Sequence, residues 1–126
     1  MNIFIICPVR NLAPQVRQRL LEYAEALEAK GKYVYLPFRD TDQDDPVGLS
    51  ICMTNAIALR VANQVHIWHD PTSQGSIFDL GALVMSSLIT GPKKRVVLIN
   101  PEDVQPTPHK SFTNVVLALA AKSHRR

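Results

Sequence analysis

The sequence predicts an α/β fold: a three-layer sandwich with a parallel sheet of four or five strands and helices on both faces. Three observations carry that expectation. Strand-like and helix-like stretches alternate four times along 126 residues, as in successive βαβ units. Two stretches, Asn2 to Cys7 and Val65 to His69, are nearly continuous apolar runs, the pattern of central strands covered on both faces. The length and the 46% apolar content suit one domain, residues 1–126, with an ordinary core. The expected arrangement is Rossmann/flavodoxin-like.

The elements follow in order. After the first strand, Pro8-Val9-Arg10-Asn11 forms a loop. Leu12, Val16, Leu20, Tyr23 and Leu27 then recur at helical spacing, with Pro14 in the first turn and Gly31 at the exit. Tyr33 to Leu36 is the second strand, stopped by Pro37. Phe38 to Gly48 reads as a long acidic loop. Its Asp40-x-Asp42-x-Asp44 spacing resembles the start of a calcium loop, but Asp45 stands where glycine is needed and Ile51 where the bidentate acid is needed. No metal site is expected. Leu49 to Ala62 is a second helix, apolar around more than half its circumference, so it is either deeply covered or faces a partner subunit. Val65 to His69 is the third strand. A third helix follows with Ile77, Leu80, Val84 and Leu88 as its stripe and Gly91-Pro92 as its stop. Val96 to Ile99 is the fourth strand. Pro101 to Pro108 is a connection, and Ser111 caps a last helix with Phe112, Val115, Val116 and Leu119 on its core face.

Composition removes several function classes. A net charge of +3, spread along the chain, does not make a nucleic-acid surface. The basic runs Lys93-Lys94-Arg95 and Lys122 to Arg126 read as a solvated turn and a frayed tail. No segment has membrane-spanning length, and the short apolar N-terminus lacks a basic leader. Cys7 and Cys52 have no metal or redox spacing, which points to a reducing cytoplasm. Nothing calls for a cofactor.

Right-handed crossovers place all strand-to-helix loops on one edge of such a sheet, where ligands bind near the switch in strand order. The loops brought there are Pro8 to Asn11, Arg39 to Gln43, Asp70 to Ser76 and Asn100 onward. Pro8, Arg10, Arg39 and Asp40 are therefore candidate substrate contacts, Arg10 as a phosphate partner. Between the third strand and the third helix lies Asp70-Pro71-Thr72-Ser73-Gln74-Gly75-Ser76-Ile77-Phe78-Asp79. Backbone amides at such a helix start can hold a phosphate or a sugar hydroxyl, and Asp79 can face the same opening. The competing reading makes Ser76 a helix cap and Asp79 the second half of a capping box. His66 and Trp68 read as core strand residues. His69, nearer the loop, is open to either role. Cys7 is a nucleophile only if its pKa is depressed.

The same stretch resembles a known family. Ser73-x-Gly75-Ser76-x-Phe78-Asp79-Leu80-Gly81, after an Ala62-Asn63-x-Val65-x-Ile67-Trp68 strand, is similar to the signature of the nucleoside 2-deoxyribosyltransferase superfamily, usually Asp-Ser-Gly-Thr-x-x-Glu-Leu-Gly. The opening Asn2 to Pro8 also resembles that family's first strand and loop, so the likeness spans most of the chain. The resemblance implies cleavage or transfer at the N-glycosidic bond of a nucleoside or nucleotide, by a transferase or a hydrolase. Asp79 takes the place of the family's glutamate nucleophile, one methylene shorter. Ser73, Gly75 and Ser76 form the sugar or phosphate loop. Asn55 stands eight residues before Asn63, where the family often has an aspartate, and Asp70 is the candidate replacement acid. The resemblance also implies a homo-oligomer with sites at subunit contacts. The shortened carboxylate and Asn55 favour an alternative, a non-catalytic nucleotide-binding module in which Asp79 caps a helix or holds a ribose.

Overall fold

The computed structural model describes residues 2–89 and 94–124. Four strands, β1 (Asn2–Ile6), β2 (Tyr33–Tyr35), β3 (Gln64–Ile67) and β4 (Arg95–Leu98), form one sheet in the order β2-β1-β3-β4, and every pairing is parallel. The helices are α1 (Pro14–Glu28), α2 (Pro37–Asp40), α3 (Leu49–Val61), α4 (Gln74–Ile89) and α5 (Phe112–His124). This is the expected α/β sandwich, and the two continuous apolar runs are its two central strands.

Alternation along β1 divides the interior. Phe4 and Ile6 pack with Val65, Ile67 and Val96 beneath side chains of α3, α4 and α5, including Leu59, Leu83 and Val116. Ile3, Ile5 and Cys7 point the other way and pack with Val34, Leu36 and Trp68 against Leu20 and Ala24 of α1. Ile3, Phe4, Ile5 and Ile6 are each at most 1% exposed. At about 2 kcal/mol per side chain, that single strand contributes a gross term as large as a typical domain's net stability.

The α1 stripe packs as expected, with Leu12, Val16, Tyr23 and Leu27 beside buried Leu20. Gly31 ends the helix at φ 83°, letting Lys32 N–H return to the Leu27 carbonyl at 3.3 Å. Asp45 accounts for part of the acidic loop. Its carboxylate accepts Ser50 N–H and Ser50 Oγ, each at 2.8 Å, and Val47 N–H at 3.0 Å, securing the start of α3. The hydrogen bonds from Ser50 hold its carboxyl down at about 2.

Several expectations need correction. The first four residues after Leu36 form α2 rather than open loop. β1, β2, β3 and β4 end one or two residues before the apolar runs do. The stripe of α4 is rotated: Ser76, Asp79, Leu80 and Leu83 are buried, while Val84 and Leu88 are 37% and 78% exposed. On α5, Val116 is buried and Ser111 does cap, accepting Asn114 N–H at 3.1 Å, but Phe112 is 59% exposed. Periodicity shows that one face is apolar and not which of two adjacent apolar faces meets the sheet. The Gly91-Pro92 stop lies outside the described residues.

Asn100, 1% exposed, fastens the ends of the strands. Its Oδ1 accepts His69 N–H at 2.8 Å and its Nδ2 donates to the His69 carbonyl at 3.0 Å, continuing the β3–β4 pairing past its last residue. Asn100→Ala strands both backbone groups and should cost roughly 2–4 kcal/mol in urea unfolding. A loss below about 0.5 kcal/mol, within the range of a neutral surface change, would show that this clasp is not what holds the strand ends.

Candidate functional site

The strand order reverses around β1, whose neighbours are β2 and β3. The chain leaves β1 for α1 on one face and leaves β3 for α4 on the other. The two connections diverge at the carboxyl ends of these strands, and that is where a crevice forms in open parallel sheets.

The β3–α4 connection is a tight, internally bonded turn. The Asp70 carboxylate accepts Thr72 N–H at 2.9 Å and Thr72 Oγ1 at 2.7 Å, and Ser73 N–H returns to the Asp70 carbonyl at 3.1 Å. Asp70 thus shapes the turn. Ser73 caps α4: its Oγ accepts Ser76 N–H at 3.2 Å and its carbonyl accepts Ile77 N–H at 3.1 Å. The capping-box reading of Ser76 and Asp79 is therefore replaced, because the helix starts one turn earlier than that reading required. Ser76 and Asp79 become third-neighbour residues on one inward helix face. The Gln74 and Gly75 amides have no acceptor among the described residues.

Ser76 is 4% exposed, and its Oγ is buried without a hydrogen-bond partner among the described residues. Asp79 is 6% exposed, and no hydrogen bond reaches its carboxyl among the described residues. Burial disfavours its charged form and pushes it up to about 7. Cys7, at the carboxyl end of β1, is pushed up to about 12, chiefly by burial and also by the Asp79 charge. That thiol is not a nucleophile. A fully buried hydroxyl without a partner is an arrangement a stable fold usually avoids, and here it stands on the same helix face as an unpaired carboxyl at the start of α4.

Asn55, 7% exposed, faces inward from α3. Its Oδ1 accepts the Thr41 hydroxyl at 2.6 Å, and Thr41 Oγ1 in turn lies 2.6 Å from the Tyr35 hydroxyl. Thr41 belongs to the Arg39 to Gln43 segment. The charged neighbours there drew more notice in the sequence, yet the uncharged threonine is the buried one. Arg39 and Asp40 are structural. The Arg39 guanidinium meets both Glu28 oxygens at 2.9 and 3.2 Å and also Asp40 and the Val34 carbonyl. Asp40 accepts Leu36 N–H at 2.8 Å. Pro8 is buried beside Cys7, and Arg10 is exposed in the β1–α1 loop.

His66 and His69 are committed to the scaffold. His66 receives the Tyr23 hydroxyl at Nδ1 and donates from Nε2 to Gln64 at 2.9 Å. Burial, with Arg95 and Lys32 nearby, lowers it to about 4, so it is neutral. His69 Nε2 lies 2.9 Å from Thr113 Oγ1, and burial lowers its pKa. Trp68 is core, with the Arg19 guanidinium 4.9 Å above its ring. A cavity of about 350 Å³ lies between β2 and the end of α3, lined by Tyr33, Tyr35, Val61 and Ala62 among others. None of the candidate residues lines it, and Glu28, the one acid on its wall, is bound by Arg39. Among the described residues, no three His, Cys, Asp or Glu side chains converge to hold a metal, and no helix is long and apolar enough to cross a membrane. Comparison of the chain with protein families, with curated proteins and with solved structures gave no match.

The raised Asp79 pKa has a signed consequence for stability. Between the ordinary 3.8 and about 7, the native state keeps a proton that the unfolded chain has released. Stability therefore falls as pH rises through that window and stays lowered above it. The full effect is at most about 4 kcal/mol. Asp79→Asn removes it, so the variant should melt above wild type at pH 8, by up to about 15 °C, and close to it at pH 4. Equal melting-temperature differences at the two pH values would mean that Asp79 is not held protonated by burial.

Proposed function

We propose that this protein cleaves or transfers the N-glycosidic bond of a nucleoside or nucleotide, with Asp79 as the attacking carboxylate. The observation that carries the reading is the pair of Asp79 and Ser76. Both are buried on one face at the start of α4, and neither has a hydrogen-bond partner among the described residues. A carboxyl kept for stability is normally surrounded by donors. The free Gln74 and Gly75 amides and the Ser76 hydroxyl suit a phosphate or sugar oxygen, and the resemblance of the Ser73 to Gly81 run supports the same chemistry. Exposed Arg10, on the neighbouring loop, suits a phosphate.

In that reaction an Asp79 oxygen bonds to the anomeric carbon as the bond to the base nitrogen breaks. The base leaves with the electron pair and takes up a proton. Water, or the nitrogen of a second base, then displaces the carboxylate from the sugar. The Asn55 amide is too weak an acid to protonate the base, and the Asp70 carboxylate is occupied in its turn, so water delivers the proton to the leaving base. The nucleophile works only when ionised. The rate constant kcat/KM should therefore rise with pH through about 7 and then level.

A binding module without catalysis is the second reading. It is favoured by Asn55 in place of an acid and by the absence of a side chain orienting Asp79. A panel of nucleosides and nucleotides screened by thermal shift, with base release measured on every hit, separates the two. Asp79→Asn should keep binding and lose base release by at least a hundredfold. Equal release by wild type and variant on every bound compound would decide for the binding module.

We also propose that a second copy of the chain packs on α3 and α4. Leu49, Met53, Ile57 and Val61 form a stripe at intervals of four on α3, and Phe78, Met85, Leu88 and Ile89 stand on α4. All eight are more than half exposed, and the two helices pack together. Large apolar side chains exposed in this number on two packed helices are what an interaction face presents. The unpaired Cys7 and Cys52 fit a reducing, cytoplasmic setting. Sedimentation should give a dimer at micromolar concentration and a monomer for Ile57→Asp. A wild-type monomer at that concentration would rule out the interface.

A further inference from the structure

We propose that Asn55 selects a nucleobase by donating to a carbonyl oxygen on its edge, and that Thr41 and Tyr35 are positioning residues that fix Asn55 as a donor. The inference rests on the nucleoside reading of the site and adds the class of base it takes.

A neutral amide offers one acceptor oxygen and a donor nitrogen, and nothing in a bare asparagine decides which end meets a ligand. Here the decision is made behind it. The Thr41 hydroxyl has one proton, and it is given to Asn55 Oδ1 at 2.6 Å. Thr41 Oγ1 is therefore left as an acceptor, and the Tyr35 hydroxyl at 2.6 Å donates to it. With the amide oxygen turned toward Thr41, as it is placed here, the relay runs from Tyr35 through Thr41 to the oxygen of Asn55. Tyr35 is itself fixed by stacking on Phe4, with ring centres 5.7 Å apart, and Thr41 is 6% exposed. With one lone pair of Oδ1 taken by Thr41, the two Nδ2 hydrogens are the larger unspent capacity of this side chain, and they have no acceptor among the described residues.

The placement is that of a site wall. Thr41 follows α2 beyond the carboxyl end of β2, and Asn55 lies on the inner face of α3, which packs against α4. A donor held there meets an oxo group well and meets an exocyclic amino group donor to donor. The site should therefore prefer hypoxanthine and uracil, which carry an oxo group at the position where adenine and cytosine carry an exocyclic amino group.

The test compares matched pairs, inosine against adenosine and uridine against cytidine, together with their 5′-monophosphates. Dissociation constants are measured for wild type, Asn55→Asp and Thr41→Val. Wild type should favour the oxo member by roughly tenfold, about one hydrogen bond. Asn55→Asp keeps the bond from Thr41 but presents only acceptors, so the preference should invert. Thr41→Val frees the amide to turn over, so the ratio should fall toward one. A purely structural Thr41 would weaken every ligand alike and leave the ratio unchanged, and that result overturns the proposal. So does a wild type that binds both members of each pair equally. If no nucleoside or nucleotide binds wild type, the reading of the whole site fails and this inference falls with it. Binding with an unmoved ratio removes the inference alone.

Discussion

Covering β1 on both faces is the constraint from which the rest of the structure follows. A strand whose alternate side chains all need burial must have an apolar layer above and another below. Ile3, Ile5 and Cys7 draw α1 to one side, and Phe4 and Ile6 draw α3, α4 and α5 to the other. The consecutive connections then part at the carboxyl end of β1. Such a divergence is where open parallel sheets form a ligand crevice, and it needs no device beyond a core built in two layers. Residues at that end, Cys7 among them, stand at its floor by position alone.

On that floor, stability and chemistry oppose each other. Ser76 and Asp79 occupy helix positions that a leucine or alanine would fill more favourably, and each carries a polar atom without a partner among the described residues. Elsewhere the chain satisfies its polar groups closely, as in the Arg39 cluster, the Asp45 cap and the Asn100 clasp. The same burial that makes Asp79 costly to keep also raises its basicity, so that near neutrality it passes readily between ionised and neutral forms.

The fold was legible because hydrophobic runs report burial directly, and parallel sheets leave few topologies to choose from. The helix faces were less so. The α4 stripe was read one position out of phase because apolar residues lie on both sides of Asp79, and the start of the helix was set by the Ser73 cap rather than by Ser76. Asp79 stood out in the sequence by its place at the start of a helix beside the loop opening and by the resemblance. Asn55 was found through the resemblance, but its partner Thr41 was not singled out, because a hydroxyl engaged across 14 residues of chain leaves no local trace. For Arg39 and Asp40 the difficulty is the opposite one. Charge in a loop after a strand suggests a ligand, and only the fold shows that Glu28 and the Val34 carbonyl already engage the Arg39 guanidinium.

The thiol of Cys7 has a practical consequence. With its pKa near 12, only about one molecule in ten thousand carries the thiolate at pH 8, and thiolate is the form that reacts with alkylating and oxidising reagents. Cys52, half-buried on α3, is the better-exposed sulfur. A maleimide dye or spin label should therefore settle at one place without any cysteine having to be engineered away. That place is on one of the two helices proposed to meet a second copy. The native chain thus comes with its own single-site handle for distance and exchange measurements, while the sulfur beneath the crevice stays chemically silent.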